Sequence, residues 1–250
     1  MLPGPPQKLK CPHCGSHKYI ETISSGNTFR AVYWSDFKRE YPFLRQPSSI
    51  QKCPSCGKYY FYSDAAPKEN IFGWIKRQLL RFYLNFIDCG EYAEWERKKN
   101  EESSSIREQI FQEAHLNGFG DLSFDEVNAA YDLLYSPKLQ EKKKQILLIE
   151  WLYAFNDNFN GRIEKVDWAM IPDPIIERQR TIIAEVAKRV KEDKVAMAEL
   201  LREKGDFEGC IQTLGAISQY KNADAVYAKG ILEHAQEGDR YVFQVQFPVQ

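Results

Sequence analysis

The spacing of apolar residues changes character about a quarter of the way along the chain. From about Glu69 onward, apolar residues recur every three or four positions, which is the spacing of amphipathic helices. Before that point they occur in short β-prone runs, such as TFRAVYW and KYYFY, between glycine- and proline-rich turns. The pattern therefore predicts an α+β protein, with a small β module over residues 1–68 and a mainly α-helical domain over residues 69–250.

Helix boundaries are marked by capping residues and prolines. Ser123 and Glu126 have the spacing of a capping box. Ser136-Pro137 and Asp173-Pro174 each place a capping residue and a first-turn proline ahead of a helical pattern. Further helices are expected at 195–205, 207–217 and 223–235, and the alternation of the tail DRYVFQVQF predicts a short strand.

The first predicted helix, residues 70–88, has an apolar side and a basic side. Such a helix can lie on an anionic membrane surface, but packing of the apolar side against neighbouring helices is the favoured interpretation. The sequence contains no uncharged apolar run of the length that spans a membrane, so no transmembrane helix is predicted.

Four of the six cysteines form two Cys-x-x-Cys-Gly units, CPHCG at Cys11 and Cys14 and CPSCG at Cys53 and Cys56. The two-residue spacer lets both sulfur atoms of a pair face inward, and the glycine lets the backbone fold back towards them. Two such pairs supply the four soft donors of a tetrahedral zinc site. A redox dithiol is disfavoured, because it explains neither the second copy nor the missing βαβ surroundings.

The other candidate ligands are given structural interpretations. Cys89 and Cys210 stand alone and are predicted to be small core residues. His13 and His17 lie beside the first pair and are expected to be exposed neighbours, since four thiolates already complete a site. Because an all-thiolate site leaves no position for water or substrate, the zinc is predicted to be structural.

The CPHCG and CPSCGK sequences resemble the zinc-ribbon (rubredoxin-like) family over about residues 9 to 62. The resemblance implies two zinc knuckles carried on a small antiparallel sheet. It implies no activity, because zinc ribbons occur in proteins of many functions.

Between the two cysteine pairs lies an insertion, residues 28–49, in which aromatic and basic side chains alternate. Single-stranded nucleic acid stacks its bases on aromatic side chains and contacts basic side chains through its phosphates. Trp34, Lys38 and Arg39 are the residues that would make this contact. Packing of the aromatic residues in a small sheet with little core is the favoured interpretation.

The segment VAMAELLREKGDFEGCIQTL resembles part of a tetratricopeptide repeat. Gly205, Asp206, Phe207 and Cys210 match the family's turn between helices, and Ala198 lies near its small packing position. The resemblance implies one repeat-like pair of helices within residues 194–236. A second copy at the repeat period is missing, and so is the closing proline.

One polar stretch, NDNFNGRIEKVD at 156–167, approximates a calcium-binding loop. It begins with Asn instead of Asp and ends with Asp instead of a bidentate Glu. A polar turn between helices is the favoured interpretation.

Composition and charge narrow the function classes. The formal net charge is −1, without the overall positive charge of a dedicated nucleic-acid binder, although residues 1–70 hold ten basic and five acidic residues. No secretory signal is recognisable, so a cytoplasmic location is expected. We find no catalytic motif and expect a non-enzymatic protein.

A zinc ribbon followed by repeat-like helices is similar to bacterial proteins of uncharacterised function. The predicted role is that of an adaptor that binds another protein and carries a structural zinc ion. The alternative is a nucleic-acid-binding protein that uses the insertion, and a less favoured third is an enzyme with its site between the two parts.

Overall fold

The structure, a computed structural model, describes residues 2–3, 6–66, 108–110, 112–113, 115–116, 120–220 and 222–247. The predicted helix at 70–88, Cys89 and the predicted domain boundary after residue 68 lie outside these residues. The architecture is α+β, as predicted, with antiparallel hairpins near the start and helices after residue 120.

Two compact units divide the chain. The cysteine unit combines Met1–Ser25 with Gln46–Asp121, and the helical unit combines Gly26–Arg45 with Leu122–Gln250. Most of the predicted insertion therefore belongs to the helical unit, although in sequence it lies between the two cysteine pairs.

The cysteine unit contains three two-stranded antiparallel sheets, two of which are hairpins of consecutive strands. Strand β1 (Leu2–Pro3) pairs with β4 (Ile23–Ser25), β2 (Gln7–Lys10) with β3 (His17–Ile20), and β7 (Ile50–Lys52) with β8 (Tyr59–Phe61). A short helix α1 (Tyr62–Ala65) follows. The KYYFY run thus contains a strand, as the sequence predicted, and all three of its residues are buried.

The core of the cysteine unit is small and includes two of the cysteines. Leu9, Ile20 and Tyr60 are at most 2% exposed and cluster with Cys11 and Cys53. Each buried side chain of this size contributes only about 1.5–3 kcal/mol, so a core of this size leaves a domain marginally stable.

The helical unit consists of helices and one short hairpin. Strand β5 (Val32–Tyr33) pairs with β6 (Arg39–Glu40). The helices are α2 (Phe124–Leu134), α3 (Glu141–Asn158), α4 (Asp173–Ala187), α5 (Lys194–Lys204), α6 (Phe207–Gly215) and α7 (Asn222–Gln236), with a 3₁₀ turn at Trp168–Met170. None of the described helices combines the length and apolar content that a bilayer crossing requires.

Two apolar clusters lie inside the helical unit. One surrounds Trp151 and Phe155 of α3 and is completed by α2 and α4. The other surrounds Ala198, Cys210 and Ile231, which are all fully buried among α5, α6 and α7. The prediction that Cys210 is a small core residue is confirmed.

The turn between α5 and α6 has the geometry that its sequence suggests. Gly205 ends α5 in the left-handed conformation, at φ +89°, and Asp206 caps α6 by accepting a hydrogen bond from the Gly209 N–H at 3.0 Å. A Cβ at residue 205 would be strained at this φ. The small residues Ala198 and Cys210 have no exposed surface where these helices pack.

Helix starts agree with the sequence at two of the three predicted places. Ser123 and Glu126 form the capping box, with the Glu126 N–H donating to Ser123 Oγ at 3.3 Å. Helix α4 begins at Asp173 with Pro174 in its first turn, but the capping role predicted for Asp173 was wrong, because Pro172 occupies the cap position. The prediction at Ser136 was wrong: its carbonyl closes a turn with the Leu139 N–H at 3.0 Å, and α3 starts only at Glu141.

The predicted strand at 239–247 was also wrong. Val242 N–H donates to Asn160 at 2.8 Å, whereas Val245 N–H donates to Tyr33 at 2.7 Å. The Ser35 N–H also donates to Phe243 at 2.9 Å, so the hydrogen bonds of the tail are divided between two segments and neither pairing extends into a ladder. A single bridge between Trp34 and Gln244 remains.

Candidate metal centre

Two turns with the same backbone hydrogen bonds hold the four cysteines. In each turn the carbonyl of the first cysteine accepts from a glycine N–H, Gly15 to Cys11 at 3.0 Å and Gly57 to Cys53 at 2.9 Å. The N–H of that cysteine donates to the carbonyl five residues later, at 2.8 Å and 2.9 Å. Both glycines adopt a left-handed φ, +75° and +70°. The glycines therefore have the conformational role that the sequence predicted.

The two hairpins place these turns so that the four sulfur atoms meet. Cys11 and Cys14 lie in the connection of β2 and β3, and Cys53 and Cys56 in that of β7 and β8. The four Sγ atoms all lie within 4.8 Å of one another. Cys11 and Cys56 are 3.9 Å apart, and Cys14 and Cys53 are 3.7 Å apart.

These distances fit a metal ion and exclude disulfides in this structure. Sulfur atoms in a disulfide are about 2.05 Å apart, and all four cysteines are free. A tetrahedral ion with metal–sulfur bonds of about 2.3 Å, as for zinc, separates its sulfur ligands by about 3.8 Å. The cluster is therefore able to hold a metal ion.

Hydrogen-bond donors around the sulfur atoms favour their ionised form. Ser16 Oγ lies 3.0 Å from Cys14 Sγ and 3.2 Å from Cys53 Sγ. The Ser16 hydroxyl is the main reason why the pKa of Cys14 is lowered. Burial alone would raise the pKa of Cys53, but hydrogen bonds from Ser16 and from backbone N–H groups outweigh it and lower that pKa to about 6.

Cys56 is the thiol that resists ionisation when no cation is present. The Lys58 backbone favours its thiolate, yet burial and the neighbouring sulfur atoms together raise its pKa to about 11. Ionising Cys56 would add negative charge beside the other sulfur atoms, and a cation removes that penalty. The donor set thus suits a divalent metal ion.

Neither nearby histidine joins the sulfur cluster. His13 and His17 are both exposed, as the sequence predicted. His13 Nε2 lies 3.1 Å from the Tyr59 carbonyl. Within the described residues, the four cysteines are the group able to hold a metal ion.

The three residues proposed for nucleic-acid contact all lie in the helical unit. Lys38 Nζ donates to both carboxylate oxygens of Asp157, at 3.0 Å and 2.9 Å. The Trp34 ring is half-buried, with the Arg162 guanidinium 5.5 Å from its centroid. Arg39 is exposed on β6. All three side chains therefore already have partners inside the protein, since the Arg39 guanidinium lies 5.9 Å from the centroid of the Tyr33 ring.

A buried polar network in the helical unit was not predicted from the sequence. Arg162, whose side chain has no exposed surface, pairs with Asp36 and, at 2.6 Å, with Asp157. Asn156 donates to Asp36 at 2.8 Å and to Glu203 at 3.2 Å. Asn156 is the first residue of the calcium-loop-like stretch. Its side chain is therefore already engaged in this network.

A second ion pair lies beside this network on α5. Arg202 donates to both oxygens of Glu199, at 2.8 Å and 2.6 Å, and both side chains are buried. Positions 199, 202 and 203 are three and four apart, so they share one helix face. That spacing was a signal in the sequence that these three charged side chains lie close together. Asp36 gave none, because its partners are more than 100 residues away along the chain.

Burial dominates the acid–base properties of this network. It raises the pKa of the Glu203 carboxyl to about 8 and lowers the pKa of the Arg162 guanidinium to about 9. In both cases the low-polarity interior disfavours the charged form.

Comparison of the chain with protein-family models, with curated proteins and with solved structures gives no match.

Proposed function

We propose that the chain is a zinc-stabilised protein-binding module, in which a structural zinc ion at Cys11, Cys14, Cys53 and Cys56 holds the cysteine unit together. The observation that carries this proposal is the convergence of four thiol groups within 4.8 Å. Tetrahedral all-sulfur sites in proteins bind zinc or iron, and zinc is the ion that such a site uses for purely structural purposes.

The role of the metal ion follows from its donors and from the small core. All four positions around a tetrahedral ion are filled by sulfur, so none remains for a water molecule or a substrate. Cys11 and Cys53 are also part of the apolar core of the cysteine unit. A bound ion would therefore link that core to the exposed side of the hairpins, adding stability that the few buried side chains do not supply.

The proposed partner is another protein, bound through the helical unit. Helices α5, α6 and α7 pack around one apolar cluster, which supports a tetratricopeptide-like arrangement. Structures of this type serve protein binding. Large apolar side chains also remain exposed on this unit: Leu133 is 72%, Ile163 81% and Met170 76% exposed. Free thiols at every described cysteine fit the reducing cytoplasm as the location.

Elemental analysis of the purified protein tests the metal. We expect one zinc ion per chain, without the visible absorbance of an iron–thiolate site, and loss of zinc in Cys53→Ser. Cys210→Ser is the matched control, because it also removes a buried thiol but lies in the helical unit. A folded protein that binds no metal, or a Cys53→Ser variant that keeps its zinc, would contradict the proposal.

Binding assays separate the two partner classes. A protein partner identified by cross-linking should lose affinity when Leu133, Ile163 and Met170 are changed to serine, and should be unaffected by Arg39→Ala. Binding of a single-stranded oligonucleotide that weakens steeply with salt and falls in Arg39→Ala would instead support the nucleic-acid alternative.

A further inference from the structure

The helical unit contains a partly open cavity of about 320 Å³ that the four cysteines do not line. Its apolar wall comes from α3, α4 and α5, with Leu152, Val186 and Leu200 among the lining residues. This volume lies at the lower end of the range for small-molecule sites. The cavity therefore has room for a small organic molecule and an apolar surface to bury it.

Two aromatic rings complete the wall. Tyr153 comes from α3, and Phe37 comes from the tip of the β5–β6 hairpin. The Phe37 ring stacks on Tyr227 with their centroids 4.7 Å apart. Its backbone is at φ +63°, a left-handed conformation that is costly for a bulky residue. The hairpin thus holds Phe37 at the cavity by a fixed packing contact.

The charged residues that line the cavity are all acidic. They are Asp36, Asp193, Glu199 and Glu203, and no lysine or arginine is among the described lining residues. Asp36 is neutralised by Arg162, and Glu199 by Arg202. Asp193 lies at the start of α5 and caps it through the Ala196 N–H at 3.0 Å. A negatively charged ligand would therefore find no basic residue in the lining, and the cations closest to the Tyr153 ring, Lys38 and Arg162, are already paired with carboxylates.

Glu203 is the acidic residue of the lining that forms neither an ion pair nor a helix cap, although Arg162 and Arg202 are near enough to favour its ionised form. The residue is 2% exposed, and its Oε2 accepts one hydrogen bond, from Asn156 at 3.2 Å. Within the described chain no basic group lies within 4.0 Å of its carboxylate; Arg240 donates to its backbone carbonyl instead, at 3.0 Å. Without an ion pair the buried carboxyl group is unfavourable in its ionised form, so a cation brought into the cavity would displace its proton and pair with the carboxylate.

We propose that this cavity binds a small organic cation, an ammonium group carried on an apolar or aromatic body. The ammonium would pair with Glu203, which is the one buried carboxylate of the lining that lacks a local counter-ion or capping role. The body of the ligand would lie against Leu152, Val186 and Leu200, and the rings of Phe37 and Tyr153 would complete its apolar contact.

Three probes that share a phenethyl group and differ in the charge of the polar end test the sign of the charge. Phenethylamine is a cation at pH 7, 3-phenylpropanol is neutral and 3-phenylpropionate is an anion. Isothermal titration calorimetry with the full chain should show phenethylamine binding at least tenfold more tightly than either of the others. Equal affinities for the three probes, or no binding of phenethylamine, would overturn the proposal.

Two variants then locate the site. Glu203→Gln keeps the shape of the side chain and should weaken phenethylamine binding about tenfold or more, while leaving 3-phenylpropanol unchanged. Ala196→Leu, which fills part of the cavity, should weaken both. Glu192→Gln is the matched control, because Glu192 is an exposed acid close by in sequence, and it should change neither. Phenethylamine affinity that survives both cavity variants would show that it binds elsewhere.

Discussion

At the scale of single residues, the properties of Glu203 depend on its surroundings more than on its chemistry. On a solvent-facing helix position it would be an ordinary acid with a pKa of about 4.3. Burial beneath the cavity raises that pKa to about 8. Because the neighbouring arginines pair with other carboxylates, the carboxyl of Glu203 favours its protonated form at neutral pH when the cavity holds no cation.

This shift predicts how stability depends on pH. The folded-state pKa lies above the unfolded value, so the contribution of Glu203 is fully present below about pH 4.3 and is lost as pH rises through about 8. The free energy of unfolding should therefore fall between pH 5 and 8, by up to about 1.4 kcal/mol per pH unit. Urea denaturation at several pH values measures this slope.

The Glu203→Gln variant isolates the effect from that of the cysteine thiols. Glutamine does not titrate, so the difference in unfolding free energy between variant and wild type should grow in favour of the variant as pH rises. Glu192→Gln, at an exposed position, should run parallel to wild type at all pH values. Parallel profiles for Glu203→Gln would show that the carboxyl does not hold its proton in the folded protein.

At the scale of secondary-structure elements, sequence signals predicted the elements correctly where the hydrogen bonds involved are local. The capping box at Ser123 formed because both partners lie within one turn. The Ser136-Pro137 signal failed, because a turn closing at Leu139 and an extended Gln140 intervene before α3 begins. The tail failed as a strand because its partners, Asn160 and Tyr33, lie far away along the chain and on different segments.

The two serines provide a comparison of real and apparent caps. Ser123→Ala removes the hydrogen bond from the Glu126 N–H and should lower the free energy of unfolding by about 1 kcal/mol. Ser136→Ala removes a hydroxyl that caps no helix and should change it by less than about 0.5 kcal/mol. Urea denaturation of the two variants measures both values, and equal losses would contradict the assignment of the start of α3.

At the scale of the whole molecule, the chain forms two units with separate cores. The cysteine unit has its own small core around Leu9 and Ile20, and the helical unit has two larger ones. If the cysteine unit depends on metal, the two units should respond differently to its removal.

Hydrogen exchange with and without a chelator tests this difference. After metal removal, the amides of β2, β3, β7 and β8 should exchange far faster, because the small core alone does not keep the hairpins closed. The amides of α3 and α5 should keep their protection, since their apolar clusters contain none of the four cysteines. Equal loss of protection in both units, or in neither, would show that the metal ion does not act on the cysteine unit alone.

The sequence by itself determined the four metal-binding candidates and the helical character of the rear. Both follow from short-range rules: Cys-x-x-Cys-Gly dictates a tight turn with inward sulfur atoms, and an apolar spacing of three and four dictates a helix face. It also marked the α5–α6 turn, through Gly205 and Asp206.

Only the tertiary structure decided where residues 26–45 belong and what they do there. The sequence placed Asp36 and Phe37 inside an insertion of the zinc ribbon, yet both line a cavity among helices that begin about 100 residues later. No short-range pattern records such contacts, because a buried ion pair needs its partner only in space. The physical reason is that burial determines whether an acidic or basic side chain is charged, and only the folded chain decides which side chains are buried.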